Sequence, residues 1–366
     1  MKYRITALLI ILFISAQVSA GEEIMPSDTG ILSLRFKNIN FMRDNEYSNP
    51  ITKGYTLIGF LIQPTLVYSP ASNLSLALGA QILSYSGAPR INSPMLIFST
   101  SYRFSRNSTI ILGSLDGSDK HRMDDPHFYR ERLYTAYTES GLRLFTETNH
   151  IFNDVWVNWL NFIFKGDTTR ESFNIGESFN YTSPSTKGGL SLEMPFQFIV
   201  KHYGGQINGW IRGKVETYYN GSAGLKLNYD IGNGRFGRVS IEYQEFLFKY
   251  YSRHGTFGIL NGYASWIRLQ YTYKSYYFGS YYWKGNNYYS PTGNPIYSSA
   301  SDRTAGLIIS DRTILTNSFY YTLHPFRYFD LFAGVDSYYD LGTRDLDLAL
   351  TIHLRFDQMF TLHKFK

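Results

Sequence analysis

The chain has 366 residues, a formal net charge of +6 at pH 7 and no cysteine. Without cysteine it has no disulfides, no thiolate metal site and no thiol nucleophile. The charge is mild and no block of Lys and Arg is present, so binding to nucleic acid is not expected.

The N-terminus has the pattern of an export signal. Lys2 and Arg4 precede an apolar stretch at residues 5–14, and Val18-Ser19-Ala20 puts small residues at the positions that a signal peptidase reads. We expect cleavage after Ala20, which leaves residues 21–366 as a single domain. A retained membrane helix is the alternative, although the apolar stretch is shorter than the ~20 residues that a spanning helix needs.

Beyond Tyr55 the chain is a series of segments in which apolar and polar residues alternate. A period of two predicts β-strands with one apolar and one polar face. The segment 190–201 shows it best: one face has Leu190, Leu192, Met194, Phe196, Phe198 and Val200, and the other has Ser191, Glu193, Gln197 and Lys201. At ~3.3 Å per residue and a tilt of about 40°, such a strand matches the ~25 Å apolar band of an outer membrane.

Sixteen strands of this kind are predicted, with fourteen as the alternative number. In chain order they lie at residues 30–42, 55–68, 74–85, 94–104, 109–115, 136–146, 151–164, 173–181, 189–202, 217–230, 236–250, 258–273, 275–284, 303–323, 330–340 and 345–357. Pro64 and Pro70 interrupt the one long uncharged stretch, so that stretch is interpreted as two strands around a turn and not as a spanning helix.

The predicted connections alternate between short and long. The short ones lie at residues 69–73, 105–108, 148–149, 232–234 and 324–326, and the long ones at residues 43–54, 116–135, 203–216 and 285–302. Antiparallel strands that cross one membrane require this alternation. We therefore predict an all-β fold, a transmembrane antiparallel up-and-down β-barrel with its short turns and both termini in the periplasm.

At this point the chain resembles the porin-like outer-membrane β-barrels of Gram-negative bacteria over essentially all of its mature sequence. Besides the periodicity, stretches such as Asn45-Glu46-Tyr47, Gly54-Tyr55-Thr56-Leu57 and Asp154-Val155-Trp156-Val157 look like fixed points of one branch of such proteins. One departure is the end at Phe365-Lys366, because such barrels commonly finish on an aromatic residue. The resemblance implies a Gram-negative outer membrane, with lipid as the surroundings, and a channel for passive or weakly selective diffusion of small hydrophilic solutes.

The polar parity of the strands supplies the residues expected to line the lumen. They are Glu139, Arg143, Asp154, Glu193, Lys201, Lys226, Asp230, Arg238, Glu242, Arg268, Asp347, His353 and Arg355. Mixed charges in a barrel of about sixteen strands predict a wet lumen with weak ion selectivity. The alternative is a plug of salt bridges in a structural or adhesion barrel.

Aromatic residues are dense between Trp266 and Tyr289, on both parities. Their faces stack on sugars, so a saccharide path is one hypothesis, and interfacial anchors with lumen packing are the other. The pattern leaves the oligomeric state open, and no cofactor is expected.

The loop after the fifth strand is the densest polar cluster, with Asp116, Asp119, His121, Arg122, Asp124 and Asp125, followed by His127, Arg130, Glu131 and Arg132. Three interpretations compete: opposite charges that pair with one another, a calcium site of carboxylates, and a rim hydrolase in which His121 is the base. Outer-membrane proteases have a pair of Asp residues and an Asp-His pair at their outer rim. Asp124 and Asp125 could correspond to the first pair, but no Asp-His dipeptide occurs that could correspond to the second. We therefore expect no catalytic residues, no metal site and no enzymatic activity.

Overall fold

The computed structural model describes residues 29–89, 92–204, 215–252 and 257–365, and the expected export signal lies outside them. Sixteen strands form a closed barrel. They are β1 (Ile31–Glu46), β2 (Tyr55–Ala71), β3 (Leu74–Tyr85), β4 (Asn92–Arg103), β5 (Ser108–Leu115), β6 (Glu139–Glu147), β7 (Ile151–Asn161), β8 (Ser172–Thr182), β9 (Leu190–Tyr203), β10 (Glu216–Asp230), β11 (Arg238–Ser252), β12 (Asn261–Tyr273), β13 (Tyr276–Asn286), β14 (Asp311–Phe326), β15 (Phe329–Asp340) and β16 (Leu346–Lys364).

Each strand pairs antiparallel with its neighbours in the chain, and β1 closes the barrel against β16, with Asn38 opposite Phe356. The predicted fold class and the number of sixteen strands are confirmed. The parity is confirmed as well: Leu190 and Met194 are exposed on the outside, whereas Ser191 and Gln197 are buried inside. Among the described residues, no helix has the length and hydrophobicity to cross a membrane.

Several predicted boundaries differ from the structure, and β16, for example, continues to Lys364 instead of ending at residue 357. β1 continues to Glu46, beyond the expected end at residue 42, because inward-facing Arg43 and Asn45 bind a loop inside the barrel. β14 begins only at Asp311, and the turn expected at residues 324–326 lies at residues 327–328. The β14–β15 register shifts between Leu323 and Phe326, and such an irregularity accommodates a proline within a strand.

Two long connections fold into the barrel and build its core. The inner loop, residues 116–138, contains a 3-10 helix (Ser118–His121) and one helical turn, α1 (Arg132–Thr135). The second inner loop, residues 287–310, contains a 3-10 helix (Pro295–Tyr297). Their buried side chains join inward-facing wall residues in three hydrophobic clusters, whose members include Phe246, Trp283 and Tyr297, Phe41 and Tyr134, and Phe128 and Trp156. The hydrophobic core therefore lies inside the barrel.

Candidate functional site

The acidic residues of the inner loop bind basic and amide groups of the wall and of the second inner loop. Asp116 lies 2.5 Å from Lys37 Nζ and 2.8 Å from Arg35 Nη1. The other contacts are Asp119 with Arg355 at 2.9 Å, Asp124 with Arg268 at 2.6 Å, Asp125 with Asn294 Nδ2 at 2.7 Å, and Arg122 with Glu147 at 2.8 Å. Because Lys, Arg and Asn side chains of the protein already bind these carboxylates, the loop cluster agrees with the interpretation in which opposite charges pair with one another.

His121 lies between two carboxylates. Its Nδ1 is 2.9 Å from Asp154 and its Nε2 is 3.1 Å from Glu139, while its ring stacks on Trp156 at 3.6 Å. Burial alone would lower the pKa of His121, but the hydrogen bonds to Asp154 and Glu139 raise it above the ordinary value. Both ring nitrogens are engaged and the side chain is 1% exposed, so the imidazole does not face a substrate.

Two of the residues predicted to line the lumen meet at the same network, where Arg143 donates from Nε to Asp154 at 2.9 Å. Others bind the inner loop or the connection after β1: Arg268 contacts Asp124 and Glu242, and Asp347 accepts from Asn49 Nδ2 at 2.7 Å. The remaining contacts are Arg238 with Asp230 at 2.6 Å, Lys226 with Glu193 at 3.8 Å, Lys201 over the Tyr203 ring, His353 with Tyr134, Glu139 with His121 and Arg355 with Asp119. Six of the thirteen contact the inner loop or the connection after β1, namely Glu139, Asp154, Arg268, Asp347, His353 and Arg355. The others contact residues of the wall, and a solute path along these side chains stays a prediction.

The aromatic stretch divides between the two faces. Trp266, Tyr281 and Trp283 point inward and are packed in the largest core cluster. Tyr276 and Phe278 point outward and are exposed. This arrangement agrees with the second hypothesis, in which the aromatic residues anchor the barrel at the interface and pack inside the lumen. The inward rings do not line an open path for a saccharide.

A cavity of about 400 Å³ remains between the inner loop and strands β14 to β16. Its lining includes Arg43, Arg130, Tyr134, Tyr320, Phe332 and His353. The Tyr134 hydroxyl lies 2.6 Å from His353 Nδ1, and Arg130 Nη1 donates to the Tyr320 hydroxyl at 2.6 Å. Polar groups of this cavity are thus bonded to one another.

A second cavity of about 500 Å³ opens at the extracellular ends of β1 and β2. We call it the rim pocket, and its lining residues are Asn45, Glu46, Tyr47, Lys53, Gly54, Tyr55, Thr56 and Arg303. Arg303 reaches it from the second inner loop and donates from Nη1 to the carbonyl oxygen of Asn49 at 2.8 Å. Lys53 and Arg303 are exposed, so the pocket offers positive charge to a ligand from outside.

Glu131 of the inner loop holds the wall beneath the rim pocket. Its carboxylate accepts hydrogen bonds from Arg43 Nε at 3.0 Å, Asn45 Nδ2 at 2.8 Å and the Tyr129 hydroxyl at 3.1 Å. The Tyr55 hydroxyl donates to its other oxygen. Sequence reasoning placed Glu131 in the loop but did not connect it with β1 or β2.

On the outer face of the same strands, Asp44 and Thr56 form a polar pair. Thr56 Oγ1 donates to Asp44 Oδ1 at 2.5 Å. The next outward side chains toward the periplasm are Met42 and Ile58, which are exposed as lipid-facing residues are. The pair therefore lies where the apolar band ends. Sequence reasoning missed it because residues 43–54 were assigned to a loop, although Arg43 to Glu46 continue the inward and outward alternation of β1.

Within the described parts of the chain, no three His, Cys, Asp or Glu side chains converge as metal ligands. The pairing of the inner-loop carboxylates with Lys, Arg and Asn accounts for this, since a hard cation needs several free oxygens.

Three solved outer-membrane barrels show the same fold. OmpT of Vibrio cholerae without its loop L8 has a TM-score of 0.53 at 12% identity, over 90% of this chain and 100% of that chain. OprD of Pseudomonas aeruginosa has a TM-score of 0.52 at 11% identity, over 93% and 97%. A BenF-like porin of Pseudomonas fluorescens Pf-5 has a TM-score of 0.52 at 10% identity, over 90% and 99%. The resemblance to porin-like barrels and the location in a Gram-negative outer membrane are confirmed.

Sequence comparison adds a family. No curated protein matches the sequence. The family model described as Lipid A 3'-O-deacylase-type matches residues 24–365. Because that description names an enzyme family, the expectation that the protein has no enzymatic activity is wrong. This chain, a sixteen-stranded outer-membrane barrel, belongs to the Lipid A 3'-O-deacylase-type family.

Proposed function

We propose that the protein is a lipid hydrolase that removes an ester-linked acyl chain from a glycolipid of the outer leaflet, and that the substrate binds across the rim pocket and the adjoining lipid-facing pair of Asp44 and Thr56. The observation that carries the proposal is the family match over residues 24–365. Lipid A is the substrate named in the family's description, and we extend it to this chain as part of the proposal.

The position of the rim pocket supports it. The acyl ester of a membrane lipid lies where headgroup and hydrocarbon meet, and Asp44 and Thr56 lie at that level on the lipid-facing side. Exposed Met42 and Ile58 would contact the acyl chain below the ester. Exposed Arg303 would face an anionic headgroup above it. One lipid molecule can therefore place its ester at the polar pair, its acyl chain against the apolar side chains and its headgroup at the positive side chain.

The chemistry follows from the polar pair. Asp44 acts as a general base, held in place by the Thr56 hydroxyl, and takes a proton from a water molecule. The water oxygen attacks the ester carbonyl carbon, and positive charge from Lys53 stabilises the oxyanion that forms. When the carbon–oxygen bond of the ester breaks, the proton passes from Asp44 to the leaving alkoxide. The products are a fatty acid and a lipid with a free hydroxyl.

The channel that the sequence analysis expected stays a prediction. The similarity to porins is a similarity of fold at 10 to 12% identity, and one fold hosts many functions. The two inner loops fill much of the lumen with paired charges and aromatic rings. Planar-bilayer recordings test the channel: conductance steps at the size of a small-solute pore would restore it.

Acyl release tests the hydrolase. Purified protein in detergent is mixed with lipid A, and mass spectrometry follows the loss of one acyl chain. We expect Asp44→Asn to lower the rate by about 100-fold to 10,000-fold, the usual effect of losing a general base. Thr56→Ala is expected to lower the rate less.

Glu245→Gln is the matched control, because Glu245 also accepts from a hydroxyl, Ser265 Oγ at 2.7 Å, on the lipid-facing side but far from the rim pocket. It is expected to leave the rate unchanged. A folded native protein that releases no acyl chain would overturn the proposed function, and full activity in Asp44→Asn would overturn the proposed site.

A further inference from the structure

Glu177 places a carboxyl group on the lipid-facing side in the middle of β8. Its outward neighbours along the strand are Ile175 and Phe179. Its cross-strand partners are Val155 on β7 and Phe198 on β9. These four side chains are apolar, so the carboxyl group lies within the hydrocarbon zone of the wall.

The other lipid-facing carboxyl group in the middle of a strand is satisfied internally. Glu245 accepts from Ser265 Oγ at 2.7 Å and also contacts the Tyr243 hydroxyl. For Glu177, by contrast, the residues that the structure describes provide no hydrogen-bond donor and no basic partner. An unpaired ionisable group in lipid is costly, and such groups normally pair or mark a functional contact.

A small residue lies two strands away on the same cross-strand row. Phe198 pairs with both Glu177 and Gly221, and Gly221 faces outward on β10. A methyl group added at Gly221 would meet Phe198 at 3.5 Å, which is ordinary contact, so packing within the barrel does not require glycine here. Small residues on a lipid-facing surface let another protein surface approach closely.

We infer that two copies of this chain associate side by side in the membrane through the faces of β7 to β10. Lipid tails offer no hydrogen-bond partner, whereas a neutral carboxyl group both donates and accepts and is therefore complementary to itself. A two-fold axis along the membrane normal brings the same patch of each copy together. Glu177 of one copy then hydrogen-bonds to Glu177 of the other at the axis, and each Gly221 lies two strands to one side, where it lets the partner's wall approach. The inference does not depend on the proposed hydrolase.

Cysteine cross-linking tests the interface, and the chain suits it because it has no cysteine of its own. Glu177→Cys is treated with a short bis-maleimide in native outer membranes, and we expect a cross-linked dimer. The control is Leu78→Cys on β3, a lipid-facing position that is 53% exposed and lies on another side of the barrel. A cross-linked dimer from both positions, or from neither, overturns the inference, and so does a cross-link from Glu177→Cys to a different protein.

Sedimentation in a mild detergent tests the role of Glu177. Glu177→Leu is expected to raise the dimer dissociation constant about tenfold, since it removes one hydrogen-bonded contact between copies in the membrane. Glu177→Gln keeps a self-complementary group and is expected to stay close to the native value. Heat-modifiable gel mobility shows that each variant is folded. A monomeric native protein, or a dimer that Glu177→Leu leaves unchanged, contradicts the inference.

Discussion

Glu131 shows how one side chain determines where a loop lies. It is 3% exposed and accepts from Arg43, Asn45 and Tyr129. Arg43 is buried as well, so its charge depends on Glu131 for compensation. The inner loop cannot leave the barrel without separating this pair.

Replacing Glu131 therefore has a large predicted cost. Glu131→Leu leaves Arg43 buried without its carboxylate, and we expect the free energy of unfolding to fall by about 3–5 kcal/mol. Urea unfolding in lipid vesicles measures the change. Glu46→Gln, at an exposed position of the rim pocket, is the control and is expected to change stability little. Equal stability of the Glu131→Leu and native proteins would show that the pair does not anchor the loop.

His121 predicts how stability depends on pH. Its pKa in the folded protein is raised above 6.5, so the folded state binds the proton more tightly than the unfolded state. This contribution is fully present below pH 6.5 and is lost as the pH rises through the folded pKa. His127 acts in the opposite direction, because burial lowers its pKa to about 4 and its stability contribution falls below pH 6.5. The pH ranges in which the two histidines change stability therefore do not overlap.

The measurement compares the native protein with His121→Gln between about pH 6 and pH 9. We expect the unfolding free energy of the native protein to fall across this range and that of His121→Gln to change less. Identical slopes in the two proteins would contradict the role assigned to the network of His121, Asp154 and Glu139.

The inner loop acts as a brace across the barrel. Its residues contact β1, β7, β12 and β16 through Lys37, Asp154, Arg268 and Arg355. The strands on either side of it are already neighbours, since Leu115 pairs with Glu139. The loop is thus not needed to connect β5 with β6, and its length serves the interior.

Removing the loop is predicted to open the lumen. When residues 117–137 are replaced by a short Gly-Asn turn, β5 and β6 still form a hairpin, and we expect planar-bilayer conductance to rise well above that of the native protein. Heat-modifiable gel mobility confirms that the barrel has formed. If folded loop-deleted barrels conduct no more than native ones, the second inner loop closes the lumen by itself.

The same barrel architecture is compatible with two kinds of protein. The solved structures with this fold include a protein described as a porin, whereas the family to which the chain belongs is described by a deacylase. The barrel wall supports both because the function lies in what the loops place inside it and at its rim. Here the inner loops fill the interior and leave a pocket at the extracellular end.

Much of this architecture was predictable because the information is local. The lipid contacts every second side chain of a strand, so the period of two along segments such as residues 190–201 determines strands, parity and the barrel. The inward orientation of Arg143, Arg268 and Arg355 follows from the same count. The polar run at residues 43–46 was misassigned because charged residues at the end of a strand look like a loop until their partners are known.

The residues to which these inward side chains bind could not be predicted, because the pairing depends on how the loops fold. Arg268 and Asp124 are 144 residues apart in the chain, and Asn294 and Asp125 are 169 apart. No pattern in the sequence relates such positions, because a loop is free to extend into solvent or fold inward until the wall offers complementary charges. The alternation of apolar and polar residues was enough to predict a membrane barrel with a polar interior. Its filled lumen and the rim pocket arose from long-range pairing, which has no period along the chain.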